Sequence, residues 1–69
     1  MKRVTDKNGI ELEEGMSVIM PEPKGGDMWN FGDFTATILQ IDIEDSTITV
    51  EDMDGDCWVV EGERVEIED

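Results

Sequence analysis

The chain reads as a small all-β domain, a barrel of five or six short strands with little or no helix. Three observations predict this. The apolar runs are short and mostly alternating, turn-forming residues interrupt them every few positions, and no segment sustains the 3.6-residue period of an amphipathic helix. With 69 residues the sequence makes one domain spanning 1–69. A core of that size is only marginally sufficient against the entropy of ordering the chain. High net charge favours disorder, but a 38% hydrophobic content set in alternating runs predicts a folded chain.

The elements follow in order. Val4 to Asp6 is expected as a first edge strand, ended by Asp6-Lys7-Asn8-Gly9, where Asn and Gly both tolerate positive φ. Ile10 and Leu12 alternate with Glu11 and Glu13, and Glu14-Gly15 turns the chain again. Met16 to Met20 follows as a strand, with Met16, Val18 and Met20 on one face. Pro21 and Pro23 stop it, since neither can donate to a ladder. Two prolines and three glycines then make 21–33 irregular.

Phe34 to Ile43 is the longest expected strand. Its apolar phase shifts between Ile38 and Ile41, which predicts a bulge or bend near Leu39-Gln40. After a turn at Glu44-Asp45-Ser46, Thr47 to Asp52 returns with Ile48 and Val50 inward. The next hairpin has two candidate registers. A two-residue Asp54-Gly55 turn pairs Val50 with Val59; a three-residue loop pairs Val50 with Val60 and Asp52 with Trp58. The second is preferred, because it sets Trp58 and Val60 on the face of Ile48 and Val50, and burying Trp58 contributes more than burying Cys57. Glu61-Gly62-Glu63 reads as a short turn of 3-10 character, and Val65 and Ile67 as the last strand.

Charge narrows the function classes. Nineteen acids against five bases give a net charge of −14. Lys2, Arg3, Lys7 and Lys24 precede Gly25, and no base follows until Arg64. Such a surface repels phosphate backbones and anionic lipid, so direct nucleic-acid or membrane binding is not expected. It attracts cations and basic proteins and keeps a small domain dispersed, so a monomer is expected. Cys57 is the only cysteine and there is no histidine, which excludes an internal disulfide and the commonest general base. No apolar stretch follows Lys2 and Arg3, so no signal peptide is expected, and a cytoplasmic setting is the default.

The order of motifs resembles small SH3-like barrels of bacteria and their phages. The resemblance rests on Asp-Lys-Asn-Gly at 6–9 and Glu-Leu-Glu-Glu-Gly-Met-Ser-Val at 11–18, then on Phe34-Thr35-Ala36-Thr37-Ile38, Ile48-Thr49-Val50-Glu51-Asp52, Trp58-Val59-Val60 and Arg64-Val65-Glu66-Ile67. It spans nearly the whole chain and implies that the first and last strands lie together, with Lys2 and Arg3 near Glu66 and Glu68. Relatives with the KOW pattern bind ribosomal RNA or polymerase through basic loops. Here those segments are acidic and Ala36 stands where many have glycine, so RNA binding does not carry over. A shared fold does not by itself imply a shared function.

Three constellations bear on chemistry. Asp52, Asp54 and Asp56 match the first, third and fifth ligand positions of an EF-hand loop, and Glu63 the twelfth, but Cys57 replaces the required glycine and the flanks read as strands. An acidic hairpin tip with weak divalent-cation affinity is the better reading, and no cofactor is expected. Cys57 is the only thiol nucleophile and lies beside acids, with no base to activate it. Carboxylate pairs are abundant, yet so small a barrel rarely holds the roughly 300 Å³ cleft a substrate needs, so an enzyme is not expected.

The most suggestive segment is the loop 25–34, where Trp29 and Phe31 stand between glycines with Asp27 and Asp33 alongside. Its rings either anchor a basic or peptide partner or fold back to plug one end of the barrel. The resulting expectation is a non-enzymatic protein-interaction module, with Trp29, Phe31, Asp27 and Asp33 as partner-binding residues. The alternative is an acidic decoy that mimics nucleic acid and occupies a basic DNA- or RNA-binding protein.

Overall fold

The computed structural model describes residues 3–21 and 34–68. Five strands, β1 (Ser17–Ile19), β2 (Thr35–Asp42), β3 (Thr47–Asp52), β4 (Cys57–Glu61) and β5 (Glu66–Ile67), form one antiparallel sheet in the order β4-β3-β2-β1-β5. A 3-10 turn, Gly62–Arg64, joins β4 to β5. The architecture is all-β and barrel-like, with the sheet left open between β4 and β5. Val4, Leu12, Val18, Met20, Ala36, Ile38, Ile48, Val50 and Val65 form the core on its inner face.

The alternation read from the sequence sets these faces. Val18 and Met20 are buried and Met16 half-buried, and the flanks of β1 continue its pairing: Ile38 N–H donates to Met16 O at 2.9 Å, and Met20 N–H to Phe34 O at 2.8 Å. The expected bulge lies where the phase shift placed it. The β2–β3 register slips between Ile38 and Gln40, which leaves Leu39 exposed and brings Ile41 opposite Ile48. One inserted residue thus keeps both halves of β2 facing one core. The 3-10 turn and β5 lie where the Gly-Glu and Val-x-Ile signals placed them.

The N-terminal strand is reduced to a single bridge, Thr5 with Glu11, inside a hairpin whose Val4 and Leu12 are buried while Ile10 is exposed. This hairpin lies against the C-terminal strand, as Lys7 N–H donates to Val65 O at 2.9 Å. The cation beside Glu66 is Lys7, at 3.7 Å, whereas Arg3 pairs with Glu11 at 3.6 Å. Arg3, expected near Glu66 and Glu68, thus forms its ion pair with Glu11 instead, and Lys2 lies outside the described residues.

The β3–β4 register also needs correction. Val50 pairs with Trp58 and Ile48 with Val60, so the three-residue loop is Met53-Asp54-Gly55, two positions from the expected pairing. The displacement is an even number, so Trp58 and Val60 keep the expected face. Its cause is Asp52, whose backbone and side chain close the turn on Asp56. Trp58 is less buried than expected, at 38% exposure, because β4 is an edge strand.

Candidate functional site

The two buried charged residues among those described, Asp6 and Asp52, each organise a five-residue turn. In Asp52-Met53-Asp54-Gly55-Asp56, Asp52 N–H donates to Asp56 O at 3.0 Å and Gly55 N–H to Asp52 O at 3.1 Å. Gly55 takes φ +85°, the left-handed conformation that ends a three-residue hairpin loop at least strain. The Asp52 carboxylate fills the turn: Oδ1 accepts from Asp54 N–H at 2.9 Å and Asp56 N–H at 3.0 Å. Its Oδ2 accepts the Trp58 indole N–H at 3.0 Å.

That last bond fixes the ring. Trp58 stands diagonally across from Asp52 on the inner face of the β3–β4 hairpin. The ring also meets Phe34, whose ring centroid lies 5.9 Å away at an interplanar angle of 57°, a tilted aromatic pair. Phe34 precedes β2 and is half-buried. Together the two rings form a partly exposed apolar edge at the end of the sheet. The exposed turn residues Met53, Asp54 and Asp56 stand at the same end of the sheet, and the sequence holds no base from Phe34 to Glu63.

Phe34 is the described end of the loop that the sequence singled out. Asp27, Trp29, Phe31 and Asp33 lie outside the described residues. The bond from Met20 N–H to Phe34 O holds the root of that segment beside Trp58. Sequence reasoning placed Trp58 in the core and missed its partnership with Asp52. The available signal was the repetition of Asp-Lys-Asn-Gly at 6–9 as Asp-Met-Asp-Gly at 52–55.

Asp52, Asp54 and Asp56 are not arranged as metal ligands. Asp52 is turned inward onto two amides and an indole, and no three Cys, Asp or Glu side chains among the described residues converge to hold an ion. Cys57 is exposed on the opposite face of β4, paired in register with Glu51. No helix among the described residues is long and apolar enough to cross a membrane.

A surface groove of about 490 Å³ runs between the N-terminal hairpin and the end of β2. This exceeds the cleft expected of so small a domain. Val4, Leu12, Ile41 and Ile43 line it together with Arg3, Glu11, Glu13 and Glu14. A second, more polar hollow of about 220 Å³ is lined by Ser17, Thr35, Thr37, Glu51 and Met53 among others. Compared with protein-family models, curated proteins and solved structures, the chain matches none.

Proposed function

We propose that this chain is a non-enzymatic, SH3-like protein-interaction module that takes a basic segment of a partner protein onto the Trp58–Phe34 edge and its acidic surround. The observation that carries the reading is the hydrogen bond from the Trp58 indole to buried Asp52. It holds a large, partly exposed ring in one orientation before any partner arrives. A fixed aromatic anchor loses little entropy on binding, and an aromatic face beside carboxylates suits a lysine or arginine side chain. Trp29, Phe31, Asp27 and Asp33 belong to the same reading as neighbours of Phe34 in the chain. The adjacency of β1 and β5 supports the SH3-like assignment. The lone unbridged Cys57 supports a cytoplasmic setting, and the bacterial or phage character rests on the sequence resemblance.

A second reading is the nucleic-acid-mimicking decoy, favoured by the net charge of −14 and the base-free stretch between Lys24 and Arg64. Salt separates the two, since charge-only complexes weaken steeply with ionic strength. The test is capture from host lysate at low and moderate salt with wild type, Trp58→Phe and Trp29→Ala, each checked for folding by circular dichroism. A partner that survives moderate salt and is lost with either variant supports the aromatic module. A basic nucleic-acid-binding protein held by all three chains and released by salt supports the decoy and rejects the first reading.

A further inference from the structure

The two edges of the open sheet are treated differently by the chain. Glu68 N–H donates to Ser17 O at 3.0 Å, which fixes the alternation of the β1–β5 ladder and turns the Ile67 N–H and Val65 C=O outward. Both outward groups are capped by the N-terminal turn: Ile67 N–H donates to Asp6 Oδ2 at 3.2 Å, and Val65 O accepts from Lys7 N–H at 2.9 Å. The β5 edge is closed to further pairing.

The β4 edge has no such cap among the described residues. Its ladder is bracketed by hydrogen-bonded pairs at each end, Asp52 N–H to Asp56 O at 3.0 Å and Gly62 N–H to Ser46 O at 3.0 Å. The antiparallel alternation between them turns the backbone of Trp58 and Val60 toward β3 and that of Cys57, Val59 and Glu61 away from the sheet. Val59, at the middle of this strand, is 71% exposed. Exposed edges are normally blunted by lysine, proline, a bulge or a covering segment. Residues 57–61 carry no lysine or proline, and their pairing with β3 runs without a bulge. Acids stand at both ends instead: Asp54 and Asp56 at one, Glu61 and Glu63 at the other.

We propose that the edge of β4, uncapped among the described residues, accepts an extended, lysine- or arginine-flanked segment of a partner protein as an added strand. This rests on the protein-interaction reading and specifies its binding mode. Backbone bonds to Cys57, Val59 and Glu61 supply affinity, Val59 and Trp58 offer apolar contacts, and the terminal acids select flanking cations. A second copy is disfavoured as occupant, because pairing two edges would bring two chains of net charge −14 together.

The test uses the full chain and a synthetic Lys-Lys-Val-Thr-Val-Lys-Lys peptide, with two further versions N-methylated on alternate amides of opposite parity. Strand addition predicts that one methylated version loses about tenfold or more in affinity while the other binds as the parent does, since only one row of amides faces the edge. It also predicts that binding slows hydrogen exchange at the Cys57, Val59 and Glu61 amides and leaves Trp58 and Val60 unchanged. Val59→Pro removes an outward N–H and spares the bonds to β3, so it abolishes binding while Val59→Thr preserves it. Equal affinity for all three peptides overturns the edge proposal and leaves the acidic interaction surface standing. No binding of the parent peptide overturns both. Protection of the β4 amides in the isolated chain, rising with its own concentration, assigns the edge to a second copy and overturns the proposal.

Discussion

Asp6 and Asp52, 46 positions apart, hold the same turn with the same atoms. In each, Oδ1 accepts the amides two and four residues on, at 2.9 and 2.8 Å for Asp6 and at 2.9 and 3.0 Å for Asp52. A glycine at the fourth position takes φ +82° or +85°. The second oxygen does different work in the two turns. In Asp6 it caps the β5 edge through Ile67 N–H, and in Asp52 it orients Trp58. One local device therefore closes one side of the sheet and presents an aromatic ring on the other.

Replacing Asp6 by alanine leaves the amides of Asn8, Ile10 and Ile67 without their acceptor. Because hydrogen bonds to a charged group contribute about 1.5–3 kcal/mol, a loss of roughly 2–4 kcal/mol in unfolding free energy is expected, read by urea titration. The effect depends on pH. Burial pushes the Asp6 carboxyl pKa up, but the Ile10, Ile67 and Asn8 amides and the nearby Lys7 outweigh it and hold the group below its ordinary value. A carboxyl with a lowered folded pKa contributes fully above its unfolded value of about 3.9, and the contribution fades as pH falls through the folded value. The stability gap between wild type and Asp6→Asn should be larger at neutral pH than at about pH 3. A gap that widens on acidification would refute the assignment.

Asp52→Asn separates the two roles of that side chain. An amide oxygen still accepts from the turn, while the amide NH₂ faces the Trp58 indole N–H and cannot accept from it. The hairpin should persist, with the Val50–Trp58 pairing intact. The Trp58 indole proton should lose its hydrogen-bonded chemical shift and exchange faster, and capture of a basic partner should weaken several-fold. An unchanged indole resonance would remove Asp52 as the ring's anchor.

Much of this fold was legible from residue alternation and turn chemistry, because both act locally. The β2 bulge follows from the spacing of Ile38 and Ile41, and the inner face of β3 from Ile48 and Val50. The β3–β4 register was harder, since Asp54-Gly55 admits several loops and the choice falls to the Asp52 side chain, a contact that no propensity encodes. Trp58 was misjudged for a related reason. Its hydrophobicity argues for burial, but β4 is an edge strand and the ring stays 38% exposed. The pairing of Trp58 with Phe34 brings together residues far apart in the chain, and spacing carries no information about it.

Gly62 is required by packing rather than by backbone conformation. It is buried beneath the N-terminal hairpin, and a Cβ there would collide with the Val4 side chain and lie 3.0 Å from Thr5 O. Gly62→Ala must push the hairpin away from the 3-10 turn, loosening Val4 and Leu12 together. Overpacking of this kind typically costs about 1–3 kcal/mol. The expected signature is a lowered urea midpoint, with faster exchange at Leu12 N–H, which donates to Val4 O at 2.9 Å. Gly55→Ala is destabilising for the other reason, a positive φ with open space around it, and should leave Leu12 exchange unaffected.

Self-repulsion among the acids gives the last prediction. Nineteen acids face five bases, and the Arg3–Glu11 and Lys7–Glu66 pairs, at 3.6 and 3.7 Å, are solvent-exposed on both sides. Exposed pairs of this kind contribute at most about 1 kcal/mol each, and salt weakens them. Repulsion summed over a net charge of −14 is also screened, and it acts in the opposite direction. The repulsive sum involves more charges than the attractive pairs, so screening should stabilise the fold on balance. Calorimetry from about 10 to 150 mM sodium chloride, over which the Debye length falls from about 30 to 8 Å, should show Tm rising. A Tm that falls over this range would mean that the few cations organise the surface more strongly than the acids strain it. Charge reversal at Glu44 or Glu63, which are exposed, would then lower stability instead of raising it.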